Sequence, residues 1–216
     1  MNICFIDKTN FSYDANSIRS KELRGAETVI INLSNALANL GNNVTVINNC
    51  QKSKLINGVK WVDIKSLEKI YKYDLAIANG DCRLFKYAIS KKNILFSHSL
   101  QNIEKFLRKK QLFSYLKYKP KVCFLSNYHQ KNRAKLLYLF GSMHLRWAVD
   151  DLFLNTPISN NIDNKLAIFT SRPERNLKIL LRMWSESIIK KDKSLRLMVT
   201  ENDLVYNDKS ILIRKL

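Results

Sequence analysis

Several of the short apolar runs in this chain, at residues 3–6, 44–47, 75–78, 94–96 and 122–125, are apolar at consecutive rather than alternating positions. A strand apolar on both sides must be covered on both faces, which is the condition of a parallel sheet between helices. The clearest helical stretch, Ala26, Val29, Ile30, Leu33, Leu37 and Leu40, repeats at three and four residues and stops at Gly41, directly before the run at 44–47. The first 47 residues therefore read strand, long loop, helix, strand, which is one right-handed βαβ unit. Further on, Asn127 and Gln130 have capping-box spacing and open an expected helix through Leu136, Leu137 and Phe140 that Gly141 closes. Alternation of this kind to about residue 150 predicts one doubly wound α/β domain, with ligands beyond the carboxyl ends of its strands.

After this the pattern breaks and restarts. Residues 155–164 are polar, with Pro157, Ser159 and four asparagines, and read as a linker. The expected division is a Rossmann-like domain over 1–156 and the start of a second Rossmann-like domain over 157–216. In the latter, 166–169, 195–199 and 211–213 read as strands, and Leu177, Leu180, Leu181, Trp184 and Ile188 mark an amphipathic helix. Three strands and one helix do not cover both faces of a parallel sheet, so this second domain reads as incomplete.

Charge is the next constraint, at +19 from 37 Lys and Arg against 18 Asp and Glu. The chain is rich in Lys, Asn and Ile throughout, which spreads the charge over every surface without requiring a nucleic acid. Anionic membranes or anionic substrates are the expected partners. The basic stretch 101–121 interleaves Phe106, Leu107, Phe113, Tyr115, Leu116 and Tyr118 with lysines. That composition suits an interfacial helix on anionic lipid, single-stranded nucleic acid, or aromatics packed on the sheet with lysines in water. Cys4, Cys50, Cys82 and Cys123 are scattered, with no C-x-x-C pair and no histidine cluster, so neither a metal site nor a disulfide is expected. No apolar run reaches the ~18 residues of a membrane span and the amino terminus has no basic leader, so the expected location is the cytoplasm.

Two segments have the residue types for ligand chemistry. In Leu23-Arg24-Gly25-Ala26-Glu27, Gly25 stands where a long loop enters a helix, allowing close backbone approach to the free N–H groups of a helix start. The signature G-x-G-x-x-G is absent, which counts against a nicotinamide or flavin dehydrogenase. Ser171-Arg172-Pro173-Glu174-Arg175-Asn176 follows a strand and precedes a helix, with Ser171 and Glu174 at capping-box spacing. Arg172 and Arg175 there oppose the positive end of the helix dipole, a cost that a bound diphosphate would reverse.

Taken in order, RGAETVIINLSNALANLGNNVTVI, YDLAIANG, FSHS, LSNYHQ, AVDDLF and SRPERNLKILLRMW resemble a family 4 retaining glycosyltransferase of the GT-B fold, over nearly the whole chain. The resemblance implies transfer of a sugar from a nucleotide-sugar donor to a cell-envelope saccharide or lipid-linked acceptor, usually without a metal and with no further cofactor. It implies that Arg172 and Arg175 meet the donor diphosphate, that Gly25 approaches the same site, and that His98 lies near the transferred sugar. His98 also reads simply as a surface-loop histidine. Asp150 and Asp151 match a strand-end acid of the family, in a structural role. The family's second domain carries a spaced pair of glutamates that this chain lacks, so little transferase activity is expected of it alone. A non-catalytic sugar- or partner-binding module and a basic nucleic-acid-binding α/β protein remain as alternatives. Peripheral contact with the inner face of an anionic membrane accompanies the transferase reading.

Overall fold

The computed structural model describes residues 1–20, 23–100, 102–146, 148–149, 154–157, 163–171 and 173–200. The chain divides into two compact units, Met1–Ala148 and Val149–Leu216, and the structure describes each over those residues alone.

The first unit is built on an eight-stranded sheet in the order β3-β4-β2-β1-β5-β6-β7-β8. Its strands are β1 (Asn2–Ile6), β2 (Asn43–Asn48), β3 (Lys54–Ile56), β4 (Val59–Asp63), β5 (Lys72–Asn79), β6 (Ile89–Ser97), β7 (Lys121–Phe124) and β8 (Ser142–His144). All neighbours pair in parallel except β3, which runs antiparallel to β4 at one edge. From β1 the chain winds outward through β2 to β4, then returns to the other side of β1 and continues through β5, β6, β7 and β8. This is a Rossmann-like α/β arrangement, and the direction of winding reverses between β1 and β5.

The consecutive apolar residues are divided between the two faces by the pleat. Cys4, Ile6, Ala76, Ala78, Leu95, Val122 and Phe124 fall in one buried cluster with Phe85, Phe106 and Tyr115. Their sequence neighbours Ile3, Phe5, Ile77, Phe96 and Cys123 fall in the other, with Ile30, Ile31 and Trp61. Helix α2 (Gly25–Asn39), which follows the short α1 (Ser17–Ser20), supplies Ile30 and Ile31 to the second cluster. It stops where the sequence predicts: Gly41, at φ +81°, donates to the Ala38 carbonyl and Asn42 to that of Leu37, the paired bonds of a Schellman ending. The first cluster is covered by a 3₁₀ turn at Cys82–Tyr87 and by a helical hairpin, α3 (Ile103–Arg108) and α4 (Leu112–Tyr118). Within that hairpin Phe106 and Tyr115 are buried edge to face, ring centroids 5.7 Å apart, whereas Leu107, Phe113 and Leu116 are exposed.

Several expectations need correction. The cap near residue 127 is Ser126, whose hydroxyl accepts from His129 N–H at 3.1 Å, and the helix it opens, α5, covers only Asn127–Lys131. Arg133 then turns inward, 8% exposed, with its guanidinium over the rings of Tyr138 and Phe124. It also donates to Ser142 Oγ at 3.0 Å. Leu136 and Leu137 consequently lie in a 3₁₀ turn, Lys135–Tyr138, not in a continuing helix. The hairpin β3–β4 turns on Asn57 and Gly58, both at positive φ, an Asn-Gly pair suited to a tight hairpin turn.

The second unit contains a parallel pair, β9 (Leu166–Phe169) and β10 (Arg196–Val199), and helix α6 (Leu177–Met183), which continues through a wider π turn at Trp184–Ile188. Residues 173–176 form turns and Asn176 enters α6 at φ +67°, so Ser171 and Glu174 do not cap that helix. Asp150, Asp151, Arg172 and the expected strand 211–213 lie outside the described residues.

Candidate functional site

Beyond the carboxyl ends of β1, β5 and β6, where the winding reverses, four polar side chains meet. Asp7 follows β1 directly and is 3% exposed. Its Oδ2 accepts from the Tyr13 hydroxyl at 2.7 Å and its Oδ1 from Asn79 Nδ2 at 2.9 Å. Asn79 ends β5, and its Oδ1 stands 2.5 Å from Nε2 of His98, one residue past β6. The His98 ring also meets Phe96 nearly edge to face at 4.7 Å. Asp7, Asn79 and His98 thus come from three adjacent strands, spaced by the sheet itself.

The loop after β1 is fastened over these strand ends. Tyr13 N–H donates to Asn49 O at 3.1 Å and Asn48 Nδ2 to Tyr13 O at 2.8 Å, while Thr9 Oγ1 donates to Phe11 O at 2.6 Å. Tyr13 is 1% exposed. Burial first, then the charge and hydrogen bond of Asp7, push its hydroxyl well above the ordinary phenol range. Burial also holds His98 below the ordinary histidine value, with the Asp7 charge acting in the opposite direction.

The same loop leads to the start of α2. The Arg24 guanidinium lies over the Phe11 ring, and Phe11 packs against Tyr13. Arg24 pairs with Glu27 at 2.9 Å. Glu27 is 2% exposed, and its second oxygen has no hydrogen-bond partner among the described residues. Gly25 itself is exposed, and a Cβ built on it meets nothing within 4 Å. Neither packing nor positive φ demands glycine there.

Next to this region, a cavity of about 320 Å³ lies along α2, lined by Val29, Leu33, Phe96, Leu125 and Leu145. The strand-end cluster and its surroundings therefore combine buried carboxylates, an amide and an imidazole with an apolar recess. Both Asp7 oxygens and the Asn79 amide are already engaged within the cluster, so what it presents outward is the half-buried His98 ring beside a mainly apolar recess that Asn32 and Arg146 also line. No group of three His, Cys, Asp or Glu side chains able to hold a metal lies among the described residues.

Of the residues singled out from sequence, His98 is in this cluster and Gly25 opens the helix joined to it through Arg24, Phe11 and Tyr13. Arg175 is exposed in the turn before α6 of the second unit, and Arg172 lies outside the described residues. Sequence reasoning missed Asp7, Tyr13, Asn79 and Glu27. The signal for two of them was present: Asp7 and Asn79 are the first polar residues after the apolar runs at 3–6 and 75–78, positions that a switch point makes functional.

No protein-family model matches the chain, and no curated protein matches its sequence. No helix among the described residues is long and apolar enough to cross a membrane.

Proposed function

We propose that this chain has the design of a nucleotide-sugar-dependent glycosyltransferase of the GT-B type, family 4, with little transferase activity of its own, in which the first unit holds the acceptor and the second carries the donor diphosphate on Arg172 and Arg175. The observation that carries the reading is the hydrogen-bonded cluster Asp7, Asn79 and His98 at the reversal point of the sheet. A saccharide, with hydroxyl edges and C–H faces, suits a polar strand-end cluster beside a mainly apolar recess. The resembling segments YDLAIANG and FSHS end at or just past β5 and β6, and RGAE opens α2. In this reading the open space over Gly25 admits a ligand against the backbone. The diphosphate arginines supply charge to the leaving group, which is the electrostatic part of such a transfer.

Calorimetric titration of the full chain with uridine and guanosine diphosphates tests the proposal. Binding that disappears in the double substitution Arg172→Ala, Arg175→Ala supports it. Absence of binding to both nucleoside diphosphates overturns it, and binding that this variant leaves intact and salt removes replaces it with general polyanion affinity.

A membrane-bound acceptor belongs to the same reading. In α4, Phe113, Leu116 and Lys117 follow at helical spacing and are all exposed, Phe113 at 76%, while Arg108 at the end of α3 and Lys109 and Lys110 in the adjoining turn are exposed. Apolar side chains ringed by lysines suit an anionic bilayer surface. Sedimentation with vesicles containing anionic lipid is expected to capture the chain, and Phe113→Ser with Leu116→Ser to release it; equal capture by neutral vesicles removes the electrostatic part.

A further inference from the structure

The chain Tyr13–Asp7–Asn79–His98 has only one consistent arrangement of hydrogens. An ionised carboxylate accepts and does not donate. Asp7 therefore requires the amide nitrogen of Asn79 on its side, in agreement with the 2.9 Å contact from Nδ2 to Oδ1, while the Tyr13 hydroxyl occupies the other carboxylate oxygen. With its nitrogen committed to β1, Asn79 turns its carbonyl oxygen toward β6. That oxygen has no hydrogen to give, so His98 Nε2, 2.5 Å away, must carry the proton. Reversing the amide would set carbonyl oxygen against carboxylate, and the Asp7 side penalises that orientation.

We propose that Asn79 is a positioning residue that, oriented by Asp7, fixes His98 in the Nε2–H tautomer and leaves Nδ1 as the basic nitrogen of the ring. The logic is that of a carboxylate or carbonyl fixing the tautomer of a functional histidine, here relayed through an amide. The amide passes on orientation without placing a full negative charge beside the ring. The contact makes the ring directional, and burial separately disfavours its protonated form. Among the described residues, the groups set around it include Asp7 after β1, Asn79 from β5 and Phe96 from its own strand. This inference requires no assumption about the substrate, and it stands or falls independently of the glycosyltransferase reading.

The test is a long-range ¹H–¹⁵N correlation spectrum of the histidine side chains in the full chain, with His98 assigned by its loss in His98→Gln; the other two histidines, His129 and His144, serve as internal references. At neutral pH the His98 pattern is expected to show a protonated Nε2 and an unprotonated Nδ1. In Asn79→Leu, which is similar in size and has no acceptor, the ring should revert to a mixture of tautomers. A wild-type spectrum with the proton on Nδ1 overturns the proposal even if the variants fail to fold. So does an Nε2–H tautomer that persists unchanged in a folded Asn79→Leu protein.

Discussion

A carboxylate buried to 3% exposure, as Asp7 is, must be compensated by donors, and two of them, the Tyr13 hydroxyl and the Asn79 amide, are in place. Tyr13→Phe removes one without opening a cavity and leaves the charge underbonded. Urea unfolding of this variant should show a loss of about 1.5–3 kcal/mol, the range for a hydrogen bond to a charged group. His98 adds a pH dependence of known sign. Its folded value lies below the 6.5 of the free side chain, so the unfolded chain binds the proton more readily. The stability owed to this group is complete above that value and is lost as pH falls through the folded value. Thermal melts of His98→Gln are therefore expected to lose less on acidification from about pH 7 to about pH 5 than those of the unsubstituted chain. Gly25 behaves differently. A Cβ there meets nothing, so Gly25→Ala should leave stability unchanged or raise it by up to about 1 kcal/mol, while weakening ligand binding by blocking the backbone. Unchanged binding would make the glycine a mere turn residue.

At the scale of elements, the hairpin β3–β4 depends on its turn. Gly58 has φ +75°, and a Cβ there would sit an ordinary 3.7 Å from that of Ala38, so the expected cost of Gly58→Ala is conformational alone, about 1–2 kcal/mol in urea unfolding. This hairpin was not read from the sequence although the Asn57-Gly58 pair signals it, because its flanks obscure it: β3 is three residues long with Leu55 72% exposed. The central strands were legible for the opposite reason: both faces of β1, β5 and β7 are buried, and burial leaves consecutive apolar residues. The helix expected from 127 to 140 was overextended because Leu136, Leu137 and Phe140 keep helical spacing while serving a 3₁₀ turn. What ends α5 is Arg133 folding inward onto Phe124 and Tyr138, a tertiary contact with no local signature. Ser171 and Glu174 misled likewise, because capping-box spacing is local and Asn176 in a left-handed conformation resets the helix start.

At the scale of the whole molecule, alternation of strand and helix was sufficient to read an α/β chain with a largely parallel sheet. The strand order was not available from one sequence, because the partner of each strand is set by crossovers that leave no local trace. The site followed the same limit. Gly25 stood out by residue type and His98 only through the family resemblance, whereas Asp7 and Asn79 acquire meaning only once β1 and β5 are known to be neighbours across the reversal point. The central claim is that this strand-end cluster is where the chain meets a sugar-bearing ligand. Its most direct test is backbone chemical-shift mapping of the full chain titrated with nucleotide sugars and with free saccharides. The account predicts perturbations concentrated at Asn79, Gly80, His98 and the Gly25–Ala26 start of α2. Perturbations absent from these residues at saturating ligand, or spread over the lysine-rich surface and abolished by salt, would contradict it.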